Sequence, residues 1–153
     1  MMYEMKGNQY FLARNYKKAA ENLEMALQID PANKGIKRKL IICYVQTGLI
    51  DKAVELFISL SKEDISFIIN TDPIEDDCPC PELVYDIEAR QKAERLSLQQ
   101  AQVLGILWLY CDVEVSHSYF QKALEIDPSN SRIKTILAIM NAYRKKSDLI
   151  NYN

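Results

Sequence analysis

Ala26 to Asn33 reads ALQIDPAN and Ala123 to Asn130 reads ALEIDPSN, so six of eight letters recur at two distant places in one chain. Internal repetition constrains a fold more tightly than composition does, because a chain built of copies folds as copies packed in series. Around the first copy, Tyr10, Ala13, Tyr16, Ala19, Ala20, Leu23, Ala26, Leu27 and Ile29 come at three- and four-residue steps, broken at Arg14-Asn15. That is the spacing of two amphipathic helices in tandem. A step of 34 residues carries Tyr10 to Tyr44, Ala19 to Ala53 and Leu23 to Phe57. Only four glycines and five prolines are present, and Pro73, Pro79 and Pro81 share one stretch, TDPIEDDCPCPE. Helix is permitted nearly everywhere else.

The spacing has a packing rationale. Small residues at Gly7, Ala19, Ala53 and Gly105 let helix axes approach, while Tyr10, Tyr44, Phe57, Trp108 and Phe120 fill the space beside them. Pro31 and Pro128, each preceded by aspartate, deny the second helix a continuation and turn the chain into the next pair.

This pattern resembles the tetratricopeptide repeat family, which places a Leu-Gly pair and an aromatic on the first helix, then a small residue, an aromatic and a closing proline on the second. Tyr3, Gly7, Tyr10, Ala19, Leu23, Ala26 and Pro31 match in the first copy, with Lys6 in place of leucine. Leu40, Tyr44, Gly48, Ala53 and Phe57 match in the second, whose end departs at Leu60 and Ile65. Leu104, Gly105, Trp108, Ser116, Phe120, Ala123 and Pro128 match in the last, with the turn inside LYCDVEVSH one residue short. The resemblance implies an all-α fold, an α-solenoid of antiparallel helix pairs wound as a tetratricopeptide-like superhelix, in a single domain over residues 1–153. Repeat 1 is expected at about residues 1–33, repeat 2 at about 34–67, repeat 3 at about 97–130 and a C-terminal capping helix at about 131–147.

Pro31 and Pro128 stand 97 positions apart, five short of three periods, so one repeat's worth of chain lies between the recognisable copies. Residues 68–96 are read as a decayed repeat or an insertion. SKEDISFIIN predicts a short helix capped by Ser61, the acidic proline stretch predicts a loop, and PELVYDIEARQKAERL predicts a helix starting at Pro81. Ser97 and Gln100 have the spacing of a capping box for the next helix. The polar tail YRKKSDLINYN suits a capping element with one wet side.

Nineteen basic against twenty-one acidic side chains leave a formal charge of -2, which announces neither a nucleic-acid surface nor a basic membrane anchor. MMYEMKGNQY lacks the apolar stretch of a signal peptide and no later run has membrane-spanning length, so the cytoplasm is the expected location. Catalysis is not expected, because there is one histidine, His117, and no glycine-rich phosphate loop. Cys78 and Cys80, two apart in an acidic loop, raise a metal- or redox-responsive adaptor as an alternative, but the Cys-x-x-Cys spacing of structural zinc is absent. Plain loop thiols, more reactive than Cys43 and Cys111, are expected, with no cofactor and no metal.

Stacked pairs of this kind line a groove with their first helices. The residues expected there are Asn8, Phe11, Leu12, Arg38, Lys39, Ile42 and Gln46, then Ile106, Tyr110 and Ile139, with Thr135, Ile136 and Tyr143 beside the last. A largely apolar surface with two adjacent cations points to a non-catalytic module that binds a protein or peptide segment. The alternative is a self-assembling unit whose groove is covered by a second copy. Family members that clamp a chaperone's C-terminal carboxylate need a lysine where Glu4 stands and an asparagine where Lys39 stands, so that substrate is not expected here.

Overall fold

A computed structural model describes residues 1–91 and 95–151. Among them are eight helices and no strand: α1 (Met2–Leu12), α2 (Tyr16–Ile29), α3 (Lys34–Gln46), α4 (Ile50–Ile69), α5 (Cys80–Gln91), α6 (Leu98–Leu109), α7 (Val113–Ile126) and α8 (Ser131–Asn151). The expected all-α class is the observed one. The helices fall into two units, Met1–Leu60 and Ser61–Asn153.

In the first unit α1 and α2 are antiparallel. Gly7, mid-way along α1, faces Leu23, mid-way along α2, and Phe11 near the end of α1 meets Tyr16 at the start of α2 edge to face, with ring centroids 6.0 Å apart. A Cβ on Gly7 would stand 2.7 Å from Leu23 Cγ, so this approach requires glycine. The turn repeats with the period of the sequence. The Asn15 amide donates to the Tyr10 carbonyl at 2.8 Å with Arg14 at φ 62°; 34 residues on, the Leu49 amide donates to the Tyr44 carbonyl at 2.9 Å with Gly48 at φ 79°. A left-handed residue inside a long back-bond is how such helix ends satisfy their last carbonyls. Leu23, Ile36, Leu40, Ala53 and Phe57 are buried, each large one contributing about 1.5–3 kcal/mol by leaving water.

The repeated octapeptide makes one turn twice. Asp30 has φ -129°, ψ 78° and Asp127 has φ -131°, ψ 81°, extended backbone of the kind a following proline imposes. Three residues later Asn33 Oδ1 accepts the Ile36 amide at 3.0 Å, and Asn130 Oδ1 accepts the Ile133 amide at 3.0 Å. Each copy therefore stops one helix and caps the next.

In the second unit α6 and α7 form the matching antiparallel pair. A Cβ on Gly105 would meet the Phe120 ring at 2.8 Å, and the Ser116 hydroxyl donates to the Gly105 carbonyl at 2.6 Å. Gly105 and Phe120 are 15 positions apart where Gly7 and Leu23 are 16. The missing residue is the left-handed one: the Asp112 amide donates straight to the Trp108 carbonyl at 2.7 Å. α5 packs on α6 and α8 on α7. The Ser97–Gln100 capping box forms as expected, with bonds of 3.1 and 2.9 Å.

Three boundaries differ from the sequence reading. Ser61 caps nothing; it lies buried inside α4, which runs on to a break at Asp64 (φ -166°, ψ 85°). Asp64 is as good a cap as serine, and burial of Phe57 and Leu60 carries the helix past Ser61. The helix expected over 81–96 begins at Cys80 and ends at Gln91; residues 92–94 lie outside the described residues, and Arg95 and Leu96 are not helical. α8 runs to Asn151 instead of about 147.

Candidate functional site

Of the groove residues in the first unit, three meet. Lys39 Nζ on α3 donates to Asn8 Oδ1 on α1 at 3.0 Å and sits 5.7 Å from the centre of the Phe11 ring. Phe11, however, is 1% exposed and Ile42 2% exposed, so both belong to the core and not to a surface. Leu12 and Gln46 are exposed, and Asn8, Arg38 and Lys39 are half-buried. The Asn8 carboxamide is thus already engaged by Lys39.

In the second unit Ile106 and Tyr110 are buried as well, against expectation. The reason is readable in α6 itself: LQQAQVLGILWL is apolar almost all round after its first turn, as a helix covered on more than one side must be. α7 and α5 both pack on it. Glu88 of α5 locks that arrangement, accepting the Trp108 Nε1 proton at 2.8 Å and the Tyr119 hydroxyl at 2.7 Å.

Ile139 is different. It is half-buried and lines a cavity of about 470 Å³ between residues 61–66 of α4 and the face of α8 that carries Ile139, Ala142, Tyr143, Lys146 and Ile150. Ile65 and Ser61 face them from α4, and the Ser61 hydroxyl is buried without a hydrogen-bond partner among the described residues. Ile150 is 67% exposed. Ile139 and Tyr143 were expected in a groove; Ser61, Ile65, Lys146 and Ile150 were not. The 3- and 4-residue steps of this stripe past residue 143 were the available signal.

The thiols are arranged otherwise than expected. Cys43, Cys78 and Cys80 are buried and Cys111 is exposed. Burial pushes the Cys43 thiol up to about 12, and burial followed by the neighbouring Cys78 thiol pushes Cys80 well above its ordinary value. Cys111 rises to about 11, through burial first and then Cys78 and Asp112. All three shifts favour the inert thiol. His117 is buried, with Nε2 2.8 Å from Asn141 Oδ1 and 3.1 Å from Arg144 Nη1, and Arg144 in turn grips Glu114 through two bonds of 2.9 and 2.8 Å. Among the described residues no group of three or more His, Cys, Asp or Glu side chains is placed to hold a metal ion. No helix among them is long and apolar enough to cross a membrane.

The tetratricopeptide repeat family's sequence profile matches residues 10–64, from the last turn of α1 to the break in α4. This stretch belongs to the tetratricopeptide repeat family. No curated protein matches the chain as a relative. The tetratricopeptide assignment agrees with the geometry: the matched residues hold both left-handed turns, at Arg14 and Gly48, at the family's period. Tetratricopeptide repeats as a class mediate protein–protein interaction by presenting helix surfaces to partners.

Proposed function

We propose that the chain is a non-catalytic, cytoplasmic protein-interaction module that takes a short apolar segment of a partner in the groove between the end of α4 and α8. The observation that carries this reading is the cavity of about 470 Å³ lined by Ile65, Ile139, Tyr143 and Ile150 together with Ser61, whose hydroxyl is buried without a hydrogen-bond partner among the described residues. Apolar side chains interleaved with charged ones of both signs, Lys62 and Lys146 against Glu63 and Asp64, supply burial and orientation together. Repeat membership of residues 10–64 supports the class of function. The helices on both sides of the 70–79 loop support reading residues 68–96 as a decayed repeat within the same array. The thiol-based adaptor draws no support from thiols that are buried or pushed up.

Affinity capture from cytoplasmic extract with the full chain, Tyr143→Asp and Leu12→Asp, read by quantitative mass spectrometry, tests the site. Proteins enriched by the wild type are expected to be lost with Tyr143→Asp and kept with Leu12→Asp. The opposite pattern moves the site to the α1/α3 face with Asn8, Arg38, Lys39 and Gln46, and equal capture by all three removes both.

A further inference from the structure

Helix α8 buries side chains along its first half only. Ile133, Ile136, Leu137 and Met140 are buried, whereas every residue from Asn141 to Ile150 is half-buried or exposed, Leu149 and Ile150 being 62% and 67% exposed. Tertiary packing, more than propensity, holds a helix in place. A stretch that buries no side chain therefore opens at little cost while the rest stays folded. The tie just before this stretch is a surface one: Arg144 Nε and Nη2 donate to the Glu114 carboxylate at 2.9 and 2.8 Å, and the Glu114 side chain is 63% exposed.

Within this stretch Arg144, Lys145 and Lys146 come directly before the hydroxyl of Ser147. Protein kinases choose among hydroxyls partly by charge, and one whose substrate cleft is lined with carboxylates takes a serine that follows cations. The acceptor must also come in line with the transferring phosphoryl group, which a hydroxyl held in a packed helical turn does not. Thr135 gives the contrast within the same helix. It too follows cations, Arg132 and Lys134, but its hydroxyl donates to the Ser131 carbonyl at 2.9 Å and its neighbours Ile133 and Ile136 are buried. Ser147 lies where the backbone can be drawn out, and Arg144 then exchanges one exposed carboxylate for another.

We propose that Ser147 is a phosphorylation site for a serine/threonine kinase that reads these cations, and that the phosphate closes the groove. Ser147 Oγ forms a bond to the γ-phosphorus of ATP as the bond from that phosphorus to the bridging oxygen breaks; ADP leaves and the hydroxyl proton passes to the kinase's base. Ser147 lines the cavity with Tyr143, Lys146 and Ile150, and Lys62, Glu63 and Asp64 line it from α4. Two cations and two carboxylates leave that lining without net charge, and a phosphate adds a charge of about −1.5 to −2 at pH 7. An apolar segment laid over it would have to strip water from a phosphate, which costs far more than burial of Ile139 or Ile150 returns. The closing of the groove rests on its reading as the binding surface; the assignment of the acceptor does not.

Incubation of the full chain with MgATP and a purified kinase that requires arginine three residues before its serine, read by tandem mass spectrometry, tests the acceptor. Phosphate is expected at Ser147 and is lost in Ser147→Ala, whereas Thr135→Ala is modified like wild type. Hydrogen exchange is expected to be much faster at residues 145–151 than at residues 133–140. A folded chain that takes no phosphate at Ser147, or takes it at Thr135 at a comparable rate, overturns the proposal. Affinity capture tests the groove. The phosphorylated chain and Ser147→Glu are expected to hold the proteins that Tyr143→Asp loses at least about tenfold more weakly than wild type does, and Ser147→Ala is expected to keep them. Circular dichroism melts establish that the variants are folded. Capture indifferent to the phosphate overturns the closing of the groove. Should Tyr143→Asp also capture like wild type, it is the groove reading that fails, and Ser147 stands or falls by its phosphate alone.

Discussion

The Ser116 hydroxyl donates to the Gly105 carbonyl at 2.6 Å, crossing the α6/α7 interface where Gly105 lets the Phe120 ring lie closest. Both side-chain positions are buried. Gly105→Ala must displace a packed aromatic, so it is expected to cost about 1–3 kcal/mol. Gly48→Ala meets no neighbour but must adopt φ 79°, at about 1–2 kcal/mol. Gly35→Ala, in the first turn of α3 and touching only Asn33 Oδ1 at 3.2 Å, is expected to cost least. Urea denaturation should return that order for Gly35 against the other two; equal losses at all three would refute the packing assigned to Gly105.

Asn33→Ala and Asn130→Ala each remove the acceptor that ends the repeated octapeptide. Each is expected to cost about 1 kcal/mol, and the aspartate replacements should recover only part of it, since a carboxylate keeps the cap but meets Glu4 and Asp30, or Asp127, where the asparagine Nδ2 donated. Denaturation midpoints check this. An unaffected Asn130→Ala would mean that the bond to the Ile133 amide contributes nothing to α8.

Native protein is expected to give one slow thiol with Ellman's reagent, at Cys111, and three more only on unfolding. The Cys111 rate should climb as pH rises toward about 11, where its thiolate forms. Cys111→Ser should abolish the native signal. Fast labelling of Cys78 or Cys80 would contradict their burial.

The Tyr119 phenol, pushed up to about 12 by burial and by its bond to Glu88, is favoured neutral in the fold, whereas unfolded tyrosine ionises near pH 10. Its contribution to stability is complete below about pH 10 and is lost as pH rises through about 12. Tyr119→Phe should flatten that alkaline loss. Denaturation at several pH values from about 9 upward, with tyrosinate absorbance at 295 nm, measures it.

The sequence pattern alone sets Arg38 and Lys39 side by side on a groove surface, where Arg38→Glu with Lys39→Glu would change only solvent-facing charge. Lys39 instead holds Asn8 and lies over Phe11, so the double variant is expected to lose about 1 kcal/mol of stability through the lost hydrogen bond and ring contact. A thermal melt identical to wild type would show that this bond is matched by water.

The parts of the fold legible beforehand are those written in local chemistry. Asp-Pro restricts one backbone position, Ser97 and Gln100 satisfy each other's amides within one turn, and Gly7 and Gly105 have no side chain to oppose a crossing helix. Ser61 shows the limit of such reasoning, because Ser61 and Asp64 are both competent caps three residues apart and the burial of Phe57 and Leu60 carries the helix past the first of them. Asn33 and Asn130 were read merely as the ends of a motif; their capping role appears once the following helix is in place.

Periodicity in the sequence determined that helices pair at a 34-residue spacing and which positions lie between the members of a pair. It could not determine which faces stay wet. A groove estimate from register alone placed Phe11, Ile42, Ile106 and Tyr110 on a surface, and all four are core. Whether an apolar residue is exposed depends on helices distant in sequence: α5 reaches α6 through Glu88, and residues 61–66 come to face Ile139 and Tyr143 across some eighty residues of chain. Local pattern carries the 3.6-residue repeat of one helix, whereas burial is a property of what packs against it, and that was decided only by the tertiary structure.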